Sequence, residues 1–344
     1  MRGYRVAIVG ATGAVGREFL TLFEERSFPV EGLKLIASSR SAGQELECLG
    51  RAHPVEVVDS STFEDVDIAF FSAGASRSRE LAPQAIQAGA LVVDNSSAFR
   101  MDPEVPLVIP EINPHAITDS TRVVANPNCT AIVLLMAIAP LRKHGTIRRL
   151  IVSTYQSASG GGAAMMQELE TQTRAVLAGE SPTPQVAPHT YAFNLFSHNT
   201  PINEHGYNEE EWKVIQETRK ILERPDLLVN VTCIRVPVMR AHSESITVEF
   251  DGAAPDPEEV RKTLAAAPGV RVVDHAHENH FPMPIEATGQ NDVLVGRIRR
   301  DLSHPNALCL FVSGDQLRKG AALNAIQIAE LMAQRGLLPL RAGV

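Results

Sequence analysis

Cys129 stands where a nucleophile would be useful. The run Val123-Val124-Ala125-Asn126-Pro127-Asn128-Cys129-Thr130 reads as a short apolar strand leading into residues 131–141, a strongly apolar stretch with helical character. A cysteine at a strand end and near a helix N-terminus has backbone N–H groups and the helix dipole to stabilise its thiolate. The carboxyl edge of a parallel sheet is also where ligands bind. The other cysteines read differently. Cys233 (NVTCIRV) and Cys309 (NALCLFV) lie in strand-like runs as small core residues, and Cys48 carries no signal. No CxxC pair occurs, so neither a zinc knuckle nor a disulfide framework is expected, and a reducing cytoplasm fits best.

A second chemical signal lies at the start of the chain. Gly10-Ala11-Thr12-Gly13-Ala14-Val15-Gly16 follows the first strand and opens the first helix. Glycine permits a tight turn and close backbone approach to phosphate, and the helix N-terminus offers N–H groups to an anion. The spacing is GxxGxxG rather than GxGxxG, and the strand–turn–helix context gives it meaning. About 20 residues on, NAD sites usually carry an acid for the ribose hydroxyls. Here the run is Leu35-Ile36-Ala37-Ser38-Ser39-Arg40-Ser41, with hydroxyls and an arginine but no acid. That set suits a 2′-phosphate and favours NADP over NAD.

A thiolate beside a nicotinamide suggests one reaction type. Reduction of an activated acyl group to an aldehyde divides into two easier halves. Thiolate first displaces the leaving group and forms a thioester. Hydride then attacks the thioester, and thiolate leaves as the aldehyde forms.

The elements that position these residues alternate. Strands are expected at 4–9, 33–37, 55–58, 68–71, 91–94 and 123–125, with helices at 15–25 and 81–88. Alternating β and α with short connections implies a Rossmann-type, doubly wound parallel sheet, in the α/β class. From about residue 150 the texture changes. IRRLIVSTYQ, LVNVTCIRVPV, ESITVEF, VRVVD, VLVGRIRRD and ALCLFVSGD read as strands, separated by long Pro-, His-, Asn- and Gly-rich stretches. This predicts a second, α+β domain with a mixed sheet and active-site loops. A final helix is expected from 320 to about 335. The expected division is 1–128 with a C-terminal helix segment 316–344 for the dinucleotide, and 129–315 for catalysis and dimerisation.

Composition sets outer limits. A chain of 344 residues favours two domains. It is 44% hydrophobic and 21% charged, an ordinary globular balance, and its net charge of −8 disfavours nucleic-acid or anionic-membrane surfaces. No run has the apolar length of a membrane span, and the opening MRGYRVAIVGATG enters a strand at once, leaving no expected signal peptide. His275, His277 and His280 lie in DHAHENHFP, but the order is HENH, not HExxH, so no metal site is expected.

Taken together, the residues resemble aspartate-semialdehyde dehydrogenases. GATGAVG, SSRSAG, DNSSAFRMD, ANPNCTAI, STYQSASGGG, RVPVMRAH, NDVLVGRIRRD and SGDQLRKGAALNAIQIAE look like that family's blocks, in its order, across nearly the whole chain. The resemblance implies NADPH-dependent conversion of β-aspartyl phosphate to aspartate β-semialdehyde and phosphate, in the pathway serving lysine and diaminopimelate, threonine, methionine and isoleucine. It implies a homodimer. Cys129 would be the acyl-thioester nucleophile, His242 the general acid/base, and Gln156 the residue positioning substrate beside Cys129. Arg235 would pair with the substrate α-carboxylate, Arg100 and Lys213 would hold phosphate, and Glu210 would meet the substrate amino group. The choice among Glu209, Glu210 and Glu211 rests on alignment with the family alone. Gly10, Thr12, Gly13, Ala14, Val15, Gly16, Ser38, Arg40, Ser41, Ser159, Gly160 and Gln316 would form the NADP site.

The residue types fit these roles. A bidentate Arg suits a carboxylate, an Arg–Lys pair suits phosphate, and His switches protonation near neutral pH. Glu210 and Lys213 are also spaced as an ordinary helical ion pair. Arg235 and His242, seven apart, would face opposite sides of a regular strand, so a break at Pro237 is expected. Two rival functions stay open on sequence. N-acetyl-glutamyl-phosphate reductase resembles this family but takes an acylated amine. A non-catalytic NADP-sensing regulator would keep the fold without the chemistry.

Overall fold

The computed structural model describes residues 3–338. The chain forms two compact units, Met1–Asn128 with Ala321–Val344, and Cys129–Gly320. The expected domain ranges run past the described residues at both ends.

The first unit is built on β1 (Tyr4–Val9), α1 (Ala14–Glu25), β2 (Val30–Ile36), β3 (Glu45–Cys48), β4 (Arg51–Glu56), β5 (Ile68–Phe71), α2 (Ala75–Gln87), β6 (Leu91–Asp94) and β7 (Val123–Ala125). The strand order is β3-β4-β2-β1-β5-β6-β7, and every pairing is parallel except β3 with β4. Strand order reverses about β1, which is the doubly wound arrangement. β5 and β6 are buried at every position, as strands covered on both faces should be. Phe19, Phe23 and Phe70 cluster beneath α1, with the Phe19 and Phe70 rings 4.7 Å apart. α2 begins six residues before the expected start at 81 and carries Pro83 inside it. The hairpin β3–β4 lies at the sheet edge, where Pro54 is tolerated.

The second unit continues with α3 (Cys129–Ile138), β8 (Ile147–Gln156), α4 (Ala163–Leu177), β9 (Phe196–Ser197), α5 (Glu209–Ile221), β10 (Leu228–Arg235), β11 (His242–Phe250), α6 (Pro257–Ala265), β12 (Val270–Val272), α7 (Pro284–Ala287), β13 (Val293–Arg300) and β14 (Ala307–Gly314). Its sheet has the order β12-β13-β14-β11-β8-β10-β9, with parallel and antiparallel pairs mixed. β8 alternates: Leu150, Val152, Thr154 and Gln156 are buried, while Ile151, Ser153 and Tyr155 are exposed. One face therefore packs on helices, and α3 is buried from Thr130 to Ile138.

A single π-helical turn at Arg318–Ala322 leads into α8 (Leu323–Gln334), which returns to the first unit's core. Residues 316–320, grouped with the terminal helix on sequence grounds, belong with the second unit. The reason is local. Buried Asp315 accepts from the Leu317 and Arg318 N–H groups, and its carbonyl accepts from the Gly320 N–H.

Candidate active site

Three neighbouring strands of the second sheet, β10, β8 and β11, end at one place. β10 ends with Arg235, which pairs in register with Gln156, the last residue of β8. β11 opens with His242, one residue before Ser243, which pairs with Tyr155. Parallel β10–β8 and antiparallel β8–β11 pairing thus put a guanidinium, an amide and an imidazole side by side. All three are buried. The expected break after Arg235 is present: Val236 to Ala241 form no strand, and Ala241 takes φ +71°. That left-handed conformation is costly for alanine. It is held by Gln316, whose side-chain oxygen accepts the Ala241 N–H at 3.0 Å, and by Arg240, which pairs with buried Asp315 at 2.7 Å.

Cys129 begins α3, beside Thr130. Gln156 links this helix start to α5: its amide donates to Thr130 Oγ1 at 2.6 Å and to Glu210 Oε1 at 3.1 Å. A Cβ on Gly320 would lie 3.0 Å from Cys129 Cβ, so the π-helical turn approaches the cysteine backbone closely.

The three consecutive glutamates of α5 separate by geometry. Glu211 closes a capping box with Asn208 and also accepts the Cys233 N–H of β10 at 3.0 Å. Glu209 is exposed and pairs with Lys213 at 2.9 Å. Glu210 is buried, as Glu211 is, and is the one that Gln156 reaches, with Lys213 at 3.9 Å. The Asn-x-x-Glu spacing of a capping box was readable in the sequence and would have set Glu211 aside.

His242 is gripped from one side. Its Nδ1 accepts the Ser157 backbone N–H at 3.1 Å, with Ser157 Oγ also 3.1 Å away. Ser157 Oγ and Ser159 Oγ are 3.0 Å apart, and Gln316 donates to Ser159 Oγ. Burial, reinforced by the Arg235 charge and opposed by Glu210, pushes the His242 imidazole down to about 3. A Cβ on Gly160 would sit 2.9 Å from both Arg235 Nη1 and His242 Nε2, so a side chain there would force one of them, or the loop, to move.

Arg235 donates from Nη1 to the Ser157 carbonyl at 2.7 Å and from Nη2 to His198 Nε2 at 2.6 Å. His198 was not singled out in the sequence. Among the described residues, Gln156 Oε1, His242 Nε2 and His198 Nδ1 are buried without a hydrogen-bond partner. Buried polar atoms are normally satisfied, so this set fits a polar ligand.

The remaining expected residues lie in the first unit. Arg100 is buried, donating to the carbonyls of Asn95 and Asn126, just past the carboxyl ends of β6 and β7. Gly10 takes φ +96°, and a Cβ there would collide with the Ser72 carbonyl; one on Gly16 would collide with the Gly10 carbonyl. α1 starts immediately after Gly13, with no side-chain cap and no acid in its first turn. That leaves its N-terminus suited to an anion. Ser38 precedes a 3₁₀ turn at Ser39–Ser41, Ser41 Oγ lies 3.3 Å from Thr12 Oγ1, and Arg40 is exposed. In the second unit, His280 pairs with Glu286 at 2.8 Å and stacks on His275.

Comparison with known proteins decides the family. Residues 5–120 match the semialdehyde dehydrogenase NAD binding domain, and residues 138–319 match the semialdehyde dehydrogenase dimerisation domain. The aspartate-semialdehyde dehydrogenase of Synechocystis sp. is 55% identical over 97% of this chain and 98% of its own. The chain belongs to the aspartate-semialdehyde dehydrogenase family. The Aquifex aeolicus aspartate-semialdehyde dehydrogenase is 48% identical over 98% of this chain and 100% of its own. A crystal structure of aspartate semialdehyde dehydrogenase II from Vibrio cholerae, complexed with ASA, superposes with a TM-score of 0.94 at 41% identity, covering 97% of this chain and 99% of that one. The protein is thus an oxidoreductase using a nicotinamide cofactor, on the two-domain α/β architecture the sequence implied. No helix among the described residues is long and apolar enough to cross a membrane.

Proposed function

We propose that this enzyme reduces β-aspartyl phosphate to aspartate β-semialdehyde with NADPH, through a thioester on Cys129. The observation that carries the reading is the bridge made by Gln156. It ties Thr130, the neighbour of Cys129, to Glu210, with Arg235 on the strand beside it. A nucleophile, an acid for an ammonium group and a guanidinium for a carboxylate are the groups a β-substituted aspartate needs. Glu210 is also what distinguishes this substrate from an N-acylated one, whose amine carries no charge. The substrates are small molecules; neither nucleic acid nor membrane is an expected partner.

In this reading Arg235 holds the α-carboxylate and Glu210 the ammonium, while Arg100 and Lys213 bind phosphate. Cys129 sulfur, as thiolate, attacks the acyl carbon. The C–S bond forms, the C–O bond to phosphate breaks, and phosphate leaves with the electron pair. His242 Nε2 donates a hydrogen bond to the carbonyl oxygen as negative charge develops there. When bound, the reduced nicotinamide supplies a hydride to the thioester carbon. The C–S bond then breaks, its electron pair returns to Cys129, and the aldehyde is released. Gln156 keeps the acyl group in line with the sulfur.

The glycine turn from Gly10 to Gly16, with Thr12, Gly13, Ala14 and Val15 at the head of α1, is assigned to the cofactor pyrophosphate. Ser38, Arg40 and Ser41 are assigned to a 2′-phosphate, which selects NADP. Ser159, Gly160 and Gln316 are assigned to the same cofactor.

A homodimer is the expected assembly. The second sheet leaves Ile151, Tyr155 and Leu228 exposed on one face, and an apolar sheet face calls for a cover. Static light scattering at micromolar concentration should report twice the mass of one chain. A cytoplasmic location follows from thiol chemistry that needs reduced cysteine.

The deciding experiment is mass spectrometry of enzyme quenched after mixing with β-aspartyl phosphate without NADPH. An acyl adduct should appear on the peptide carrying Asn126 to Thr130. An adduct on Cys48, Cys233 or Cys309 instead would overturn the assignment.

A further inference from the structure

We propose that His198 is a positioning residue for Arg235, a neutral imidazole protonated on Nδ1 that accepts from the guanidinium and fixes its fork toward the substrate carboxylate. The inference rests on the reading that Arg235 meets that carboxylate.

The protonation state follows from geometry. Arg235 Nη2 lies 2.6 Å from His198 Nε2. A guanidinium has donors only, so Nε2 accepts and the imidazole proton sits on Nδ1. The other terminal nitrogen, Nη1, is fixed on the Ser157 carbonyl at 2.7 Å. Each terminal nitrogen therefore spends one hydrogen on the protein, and the guanidinium plane is set from two sides. Fixing that plane beforehand lowers the cost of ordering the fork for two bonds to a carboxylate.

The fold brings His198 to this place through β9. That strand has two residues, and both pair with the end of β10: Phe196 with Arg235 and Ser197 with Ile234. The His198 N–H then donates to the Cys233 carbonyl at 3.2 Å. The strand is too short to add much to the sheet, but it sets His198 beside Arg235. On the other side, Phe196 packs edge-on against Tyr191, 5.3 Å between ring centres, which anchors the segment.

The surroundings agree. Burial pushes the His198 imidazole down to about 4, with Glu210 and Glu209 opposing and Arg235 and Lys213 reinforcing. Of these, Glu210, Arg235 and Lys213 are the ones assigned to substrate. His198 Nδ1 is buried without a partner among the described residues.

Three variants test the proposal by steady-state kinetics in the oxidative direction, varying aspartate semialdehyde, phosphate and NADP in turn. His198→Phe keeps the bulk and removes the acceptor. It should raise KM for aspartate semialdehyde about tenfold, the usual worth of one hydrogen bond to a charged group. It should leave kcat and the KM values for phosphate and NADP within a factor of two. His198→Gln offers an oxygen acceptor at similar reach and should recover most of the loss. Arg235→Lys, run alongside, should raise the semialdehyde KM more than His198→Phe. Unchanged semialdehyde KM in His198→Phe, an equal rise for all three substrates, or no recovery in His198→Gln would overturn the role of His198. If Arg235→Lys itself leaves the semialdehyde KM untouched, the carboxylate assignment fails, whatever His198 does.

Discussion

The Ser157 backbone N–H donates to His242 Nδ1 at 3.1 Å, and this bond sets the tautomer of the imidazole. A backbone N–H cannot accept, so Nδ1 carries a lone pair and the proton of the neutral ring lies on Nε2. Protonating Nδ1 would set two donors against each other in a buried place. His242 is therefore held as a neutral donor, with Nε2–H beside Gly160 and Arg235. In 15N spectra of selectively labelled enzyme, the His242 ring should show a protonated Nε2 and an unprotonated Nδ1 at pH 6. A doubly protonated ring at that pH would contradict the arrangement. His242→Asn should lower kcat by roughly two to four powers of ten, the range for loss of a catalytic proton donor.

Stability should depend on pH through the same groups. His242 is lowered from 6.5 to about 3 and His198 from 6.5 to about 4, in each case first by burial. Between those values and 6.5 the unfolded chain binds protons that the folded protein does not. Stability therefore falls as pH drops through that window, by up to about 1.4 kcal/mol per pH unit for each histidine. Glu244, fully buried and pushed well above the usual carboxylate range by that burial, favours acid instead. The comparison is thus between variants. Urea melts at pH 7 and pH 5 should differ less for His242→Asn than for the unaltered enzyme. An identical difference in both would remove His242 from the account.

Gly160 is set by what a side chain there would strike. A Cβ would lie 2.9 Å from Arg235 Nη1, His242 Cε1 and His242 Nε2, closer than such contacts normally come. The neighbours are themselves tethered, Arg235 on Ser157 and His198, His242 on Ser157. Gly160→Ala should lower kcat/KM at least tenfold, on the principle that small misplacements of catalytic groups are costly. It should leave the alkylation rate of Cys129 unchanged. Wild-type kcat/KM in Gly160→Ala would mean that the loop shifts freely.

How much of this was legible depends on the distance over which each contact acts. The apolar runs of β1, β5, β6 and β7 announce buried parallel strands, and their bounds in the structure are those read from sequence. The hairpin β3–β4 was only half seen, because ELEC and RAHPVE are polar edge segments with no apolar run. The α2 start was placed late because SRSRE has no apolar periodicity. Cys129 was legible since its signal is local: a strand end, a proline and an apolar helix. His198 was not, since its partner Arg235 is 37 residues away and the two-residue strand that joins them has no pattern. Gln316 was expected only as a cofactor contact. Its bonds to Ala241 and Ser159, across 75 and 157 residues, are set by tertiary packing.

Cofactor choice should turn on Arg40. It follows β2, is exposed, and belongs to the turn whose Ser41 lies 3.3 Å from Thr12 in the glycine turn. A guanidinium gives a charge-assisted bond to a 2′-phosphate and gains nothing from a bare hydroxyl. Arg40→Ala should raise KM for NADP by about tenfold or more and leave that for NAD nearly unchanged. Equal losses for both cofactors would show that Arg40 serves another purpose.

The strongest demand falls on Cys129. It opens α3, where helix N–H groups favour a thiolate, and its neighbour Thr130 is tied to Gln156. Cys129→Ala should abolish turnover while leaving NADP binding nearly intact, because the glycine turn and Arg40 lie in other elements. Cys129→Ser should also be very slow. A hydroxyl ionises far less than a thiol at neutral pH and is a much weaker nucleophile there. Two of the other cysteines, Cys48 and Cys233, supply the control. Burial pushes the Cys48 thiol up to about 11 and raises Cys233 well above its ordinary value, so neither forms thiolate readily at neutral pH. A single fast-reacting thiol should therefore appear on titration with iodoacetamide, and peptide mapping should place it at Cys129. Activity should disappear in step with that one modification. Full activity after its alkylation, or in Cys129→Ala, would end the thioester mechanism.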